Sequence, residues 1–122
     1  CRAGTTTAYS WGNTIASSNA NWNHGADPDQ TVDVGQFSAN PWGFFDMHGN
    51  VWEWTEDWYQ ATYPTGNPVV DPTGPASGST RVLRGGSWYR GGTSLRSADR
   101  HHDPPSSRGN ALGFRVGFQK SQ

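Results

Sequence analysis

Aliphatic side chains are scarce in this sequence. Its 122 residues include three leucines, one isoleucine and one methionine, and hydrophobic types make up 32% of the whole. No apolar run approaches the roughly 18 residues that a membrane-crossing helix requires, so a helical span is excluded. The same shortage removes the repeating apolar seam of a coiled coil or helical bundle. Cysteine is nearly lacking as well. With Cys1 alone, neither an intrachain disulfide nor a cysteine-based metal site can form. Net charge is close to zero, nine Lys+Arg against ten Asp+Glu, which argues against a generic polyanion binder. No phosphate loop, dinucleotide fingerprint or basic-aromatic nucleic-acid motif is found, and no nucleic-acid partner is expected.

What is present is tryptophan, seven residues of it, together with 16 glycines and 8 prolines. Low aliphatic content would suggest disorder, but disorder also calls for high net charge and few aromatics. Neither condition holds. The composition predicts one irregular, loop-rich domain with an aromatic core. The sequence begins at Cys1 rather than Met, with no leader ahead of it, and reads as a fragment or a trimmed product. A lipid-bearing mature N-terminus is the alternative. Localisation is little constrained, with an extracytoplasmic setting preferred.

Near-neutrality hides a division. Residues 1–80 hold one Arg and eight acids, net −7, and residues 81–122 hold eight bases and two acids, net +6. Arginine stacks on aromatic rings and forks onto carboxylates. The second half is therefore expected to pack its arginines on the Trp and Asp of the first. An Arg-lined face for an anionic ligand is the other reading.

Residues 32–37, 51–55 and 81–84 read as short strands. Residues 112–118 (LGFRVGF) alternate most cleanly, with Leu112, Phe114, Val116 and Phe118 on one face. Glycines on the other face suggest close approach of a backbone or a flat ring. Residues 60–80 and 89–111 read as two long loops, which in a small domain point to function.

Asp46-Met47-His48-Gly49-Asn50-Val51-Trp52-Glu53 sets two acids seven apart around a glycine. A turn there could aim the Gly49 and Val51 carbonyls at a hard cation held by Asp46 and Glu53. Spacing alone leaves a solvated edge as the commoner outcome. His101-His102-Asp103 invites a metal reading, but neighbouring histidines on an extended chain point apart, so a solvated loop tip is expected. No serine sits in a nucleophile elbow.

NPWGFFDMHGNVWEWTEDWY (40–59), DPTGP (71–75), RVLRGGSW (81–88), LRSADR (95–100) and LGFRVGF (112–118) resemble, in order, segments of the formylglycine-generating (sulfatase-modifying factor) family. CRAGTTTAYSWGN (1–13) is similar to the segment that follows that family's N-terminal half. The resemblance implies an α+β, C-type-lectin-like fold with little regular secondary structure. Residues 1–122 would form one partial domain without its usual first half, which a missing segment or a homodimer would complete.

The resemblance also implies a structural calcium ion on Asp46, Gly49, Val51 and Glu53, and a second site beginning at Asn21 and Trp22. The family's oxidase chemistry rests on two copper-binding cysteines, and thiolates are what select Cu(I). Arg90 and Leu95 stand at the matching positions. Copper and formylglycine formation are therefore not expected, and the reading leans away from an enzyme.

Three kinds of relative keep such a fold without the cysteine pair. They are non-catalytic binding domains of bacterial surface and signalling proteins, sulfoxide synthases whose iron lies in a separate domain, and variable proteins of diversity-generating retroelements. Adenine mutation of an Asn codon cannot yield Lys, Glu, Gln, Met or Trp, and residues 89–118 contain none of these. The leading expectation is a calcium-stabilised module that meets a protein or small molecule through the 89–111 loop. The residues assigned to that contact are Ser87, Trp88, Tyr89, Arg90, His101, His102 and Arg108. A diversified binding face, and a portion of an oxidase or sulfoxide synthase, are the alternatives.

Overall fold

A computed structural model describes residues 1–25, 30–63 and 72–117. Among these, regular structure amounts to four short strands and one 3-10 turn. The strands are β1 (Trp52–Trp58), β2 (Arg81–Arg84), β3 (His101–Asp103) and β4 (Leu112–Gly113), and the turn is Gly92–Leu95. They form one sheet in the order β3-β2-β1-β4. β1 and β2 run antiparallel, as do β2 and β3, while β4 lies parallel to β1.

β1 is a Trp- and Thr-containing run of the kind a pleated surface favours. Trp54 pairs with Leu83 and Trp58 with Arg81, so four steps on β1 oppose two on β2 and β1 bulges between them. The Thr55 hydroxyl donates to the Val82 carbonyl at 3.2 Å within that irregularity. In β2, Val82 and Leu83 are buried between half-exposed arginines. Residues 1–51 contain no strand among their described positions and are held by turns and long-range hydrogen bonds.

The core is smaller and less aromatic than the composition suggests. Buried hydrophobic residues are Ala3, Tyr9, Ala20, Trp52, Val82, Leu83, Leu95 and Ala111. Of the seven tryptophans only Trp52 is fully buried. Trp22, Trp54, Trp58 and Trp88 are half-buried, and Trp11 and Trp42 are exposed, Trp42 at 65%. An indole is large enough to shield backbone while leaving its own edge wet, so it covers a loop fold without entering its centre.

Three expectations about strands need correction. Residues 32–37 form no strand; Asp46 accepts the Gly35 N–H through Oδ2 at 2.6 Å, and Asn50 bonds both the N–H and the carbonyl of Val32. These side chains replace a partner strand. The 112–118 run is a strand only at Leu112–Gly113; Phe114 (77%) and Val116 (73%) are exposed, and Phe118 lies outside the described residues. Gly113 owes its lack of a side chain to Val51, since a Cβ there would stand 2.8 Å from Val51 Cγ2. The 89–111 stretch is not one loop, because it holds both the 3-10 turn and β3. Within the 60–80 stretch, residues 64–71 lie outside the described residues.

Exposed Val34, Trp42, Phe44, Phe45, Phe114 and Val116 give the molecule several large apolar side chains in water. Four of them, Val34, Phe44, Phe45 and Phe114, line one cleft.

Candidate functional site

Two clefts meet at Phe114. The first is about 460 Å³ and is lined by Asp46, Gly49, Val51 and Glu53, the four residues assigned to a cation. Their local fold follows from three left-handed residues in five: Asp46 (φ 53°), Gly49 (φ 84°) and Asn50 (φ 65°). Asp, Asn and Gly are the types that adopt this conformation most readily. The resulting turn is pinned by the Gly49 N–H to the Gly85 carbonyl (2.8 Å) and the Asn50 N–H to the Asn21 carbonyl (2.9 Å).

The donors in this cleft are hard oxygens. The Gly49 and Val51 carbonyls accept none of the backbone hydrogen bonds found outside the strands among the described residues. Asp46 uses Oδ2 for Gly35. Glu53 is held by Arg115, which donates from Nε at 2.7 Å and from Nη2 at 2.5 Å, and also reaches the Phe45 and Asp46 carbonyls. The Glu53 carboxylate in turn pushes the Arg115 guanidinium pKa upward. Carbonyls and carboxylates are the oxygen types that calcium takes, and both Glu53 oxygens are here bonded by Arg115. Arg115 would share Glu53 with such an ion.

Asn21 is buried, with its side-chain amide donating to the Gln30 carbonyl (2.9 Å) and to Asn50 Oδ1 (3.3 Å). Trp22 packs against the cluster of Tyr9, Ala20 and Leu95. Asn50, which the sequence reading did not single out, joins these segments: it contacts Asn21, Val32 and, through its carbonyl, the Trp88 N–H at 2.9 Å. Its lone signal was its place beside Gly49 in the motif. Among the described residues no three His, Cys, Asp or Glu side chains gather as a metal group.

The second cleft, about 630 Å³, lies over β1 and β4 beneath residues 105–109. Trp54, Leu112 and Phe114 supply its apolar lining, and Arg81 and Arg108 its charge. Of the residues assigned to ligand contact, Arg108 alone lines it. Tyr89 and Arg90 lie against one another by cation–π contact (4.9 Å), with Trp88 edge-on to Tyr89, and the Arg90 carbonyl accepts the Asn23 N–H. Ser87 is fully buried and its Oγ has no partner among the described residues.

His101 and His102 do not form a loop tip. They are half-buried in β3, His102 stacked on Tyr59 (3.8 Å between centroids) and His101 tilted over Trp52 (5.4 Å). The arginines do stack on aromatic rings, Arg81 on Trp58 at 3.5 Å and Arg100 on Tyr59 and Tyr63. They do not pair with the aspartates; the ion pair among the described residues is Arg115–Glu53.

Residues 1–119 match the Sulfatase-modifying factor enzyme 1-like domain. The chain belongs to the formylglycine-generating (sulfatase-modifying factor) family. Its loop-rich fold with short strands is the one the motifs imply. It is 42% identical over 88 residues to the formylglycine-generating enzyme of Streptomyces coelicolor, covering 70% of this chain and 28% of that protein. It is 39% identical over 117 residues to serine/threonine-protein kinase pkn1 of Chlamydia caviae, covering 94% of this chain and 18% of that protein. Among solved structures, Treponema denticola variable protein 1 superposes with a TM-score of 0.83 at 35% identity, over 93% of this chain and 41% of that one. PvdO from Pseudomonas aeruginosa gives 0.67 at 32% identity, over 80% of this chain and 38% of that one. The chain thus spans between 18% and 41% of the length of these four proteins.

Proposed function

We propose that this family domain is a non-catalytic, calcium-stabilised binding module whose ligand is met by the 89–111 segment. The observation that carries the binding role is the 630 Å³ cleft, whose rim is the 105–109 part of that segment and whose lining joins aromatic and cationic side chains. Its size lies within the ~300–1,000 Å³ of small-molecule sites, and mostly apolar walls with a few placed polar groups are typical of them. Support for the non-catalytic half comes from the positions matching the family's cysteine pair. Leu95 is fully buried in the core beside Tyr9 and Ala20, and Arg90 is held over Tyr89. Neither offers a thiolate.

Calcium would be held by the Gly49 and Val51 carbonyls with the Asp46 and Glu53 carboxylates, cross-bracing the 46–53 turn to β1. An ion that binds the native state alone stabilises it by mass action, about 2.7 kcal/mol at a hundredfold excess over its Kd. Thermal unfolding in excess calcium and in excess chelator is the test. A lower Tm in chelator is expected, and a Glu53→Gln variant should lose most of the difference. Identical transitions in the two buffers would refute the calcium role. Asn21 and Trp22 would begin the second site, since the Asn21 bonds to Gln30 and Asn50 use its side-chain nitrogen and leave Oδ1 available to a cation.

The likeness to Treponema denticola variable protein 1 favours a second reading, in which the 89–111 segment is a diversified face. Comparing this locus among sister isolates tests it. Substitutions should concentrate at Tyr89, Arg90, Gly91, Thr93, Asp99, His101, His102, Ser106, Ser107 and Asn110, without Lys, Glu, Gln, Met or Trp appearing there. Variation spread evenly along the chain would remove this reading and leave the first intact.

A further inference from the structure

The two clefts that share Phe114 have opposite character. Carboxylates Asp46 and Glu53 line one. No acidic residue lines the other, and two arginines do. Among the described residues neither Arg81 nor Arg108 meets a carboxylate.

Both arginines are held by contacts other than ion pairs among the described residues. Arg108 donates from Nη1 to the carbonyls of Pro105 (3.1 Å) and Ser107 (2.8 Å), its own loop, which fixes the guanidinium plane. Its Nη2 and Nε take no protein partner in the described residues. Arg81 lies flat on the Trp58 indole, 3.5 Å from the ring centroid, with Nη1 donating to the Glu56 carbonyl. Arg108 thus keeps its charge without an ion-pair partner among the described residues, whereas Arg81 shares a neighbouring cleft with Glu56 and Asp57, which offset part of its field. A guanidinium held on one edge by its own loop is pre-organised to fork onto a planar anion with the other, at little further entropic cost. In the same cleft as Arg108 stand the half-buried indole of Trp54 and the ring of Phe114, which is 77% exposed. Water-exposed aromatic surface next to unpaired arginine selects a ligand with a flat apolar body and an anionic end.

We propose that the cleft over β1 and β4 binds an aromatic carboxylate, its ring against Trp54 and Phe114 and its carboxylate on Arg108. The assignment rests on the binding-module reading and narrows it to a ligand class.

The test uses the 122-residue chain and two probes of one shape, 2-naphthoate and its neutral counterpart 2-naphthalenemethanol, titrated by calorimetry in moderate salt. Naphthoate should bind about tenfold or more tightly, the scale of a hydrogen-bonded charge pair. Arg108→Gln should abolish that preference. Arg108 is exposed and its bonds stay within its own loop, so its variant should melt like the parent. Arg96→Gln, an exposed arginine outside the cleft, should leave the preference unchanged. Equal affinity for both probes, or a preference that survives Arg108→Gln or is lost in Arg96→Gln, overturns the carboxylate assignment while binding of the alcohol still supports a ligand cleft. Binding of neither probe overturns the assignment and removes the support for a small-molecule cleft together.

Discussion

Replacing Gly49 with alanine is expected to cost about 2–5 kcal/mol, a large share of the stability of a small domain. Two effects combine at this position. Gly49 has φ 84°, a conformation that costs an L-residue about 1–2 kcal/mol. In addition, a Cβ placed there would stand 2.3 Å from the Asn21 carbonyl oxygen and 3.0 Å from Leu95 Cδ2. That carbonyl cannot swing aside freely, because it accepts the Asn50 N–H at 2.9 Å. Moving it leaves a buried donor unsatisfied, about 1–3 kcal/mol more. Gly35 supplies the control. Its φ is 79°, yet a Cβ there meets nothing within 4 Å, so Gly35→Ala should cost about 1–2 kcal/mol from the backbone alone. Urea unfolding of the two variants separates the contributions. Similar losses in both would mean that the Asn21 contact carries no weight.

The same turn shows what could be read in advance. The Asp-x-x-Gly-Asn pattern announces left-handed residues through their types, and the family resemblance, rather than spacing alone, grouped Asp46, Gly49, Val51 and Glu53, which line one cleft. Arg115 was not legible there. It sits 62 residues from Glu53 in sequence and nevertheless takes both of its oxygens, a contact that depends on β4 lying parallel to β1. Parallel pairing between distant segments leaves no local trace. For the same reason β3 was hidden: three residues of His-His-Asp carry no alternation, and what makes them a strand is the antiparallel edge of β2.

Residues 112–118 fail in the opposite direction. Their alternation is real, but a strand needs a neighbour to bond, and β1 pairs only with Leu112 and Gly113. Beyond that point Arg115 turns toward Glu53, leaving Phe114 and Val116 in water. Periodicity reports which faces a segment could bury, whereas burial depends on what else the chain brings to that face. The ligand residues divide by the same logic. Arg108 was named from residue type and proves to line the larger cleft, whereas Trp54 and Leu112 read only as framework until the sheet placed them beneath it.

Acidification is expected to destabilise the chain through His48. The ring is buried, with Nδ1–H donating to the Leu95 carbonyl at 2.6 Å and Nε2 accepting the Ser10 N–H at 3.3 Å. These two roles require the neutral tautomer, because a protonated ring has no acceptor for Ser10. Trp11 packs edge-to-face on it at 4.7 Å. Burial is the leading cause that pushes its pKa below the ordinary 6.5, with the Leu95 carbonyl pulling the other way. The unfolded chain therefore takes up the proton first. Stability from this group is complete above about pH 6.5 and is lost as pH falls below that value toward the folded-state pKa. Tm should accordingly drop between pH 7 and pH 5. His48→Gln retains a donor and an acceptor, so it should stay within about 1.5 kcal/mol of the parent at pH 7 and show a flatter acid slope. His48→Ala leaves Ser10 N–H and Leu95 C=O unpaired beside a void, and should lose about 2–4 kcal/mol at neutral pH. Parallel Tm-against-pH curves for the parent and His48→Gln would assign the acid loss to other groups. A flattened curve would show that the 1–13 segment is fastened to the 46–53 turn by a proton-sensitive contact between Ser10 and His48.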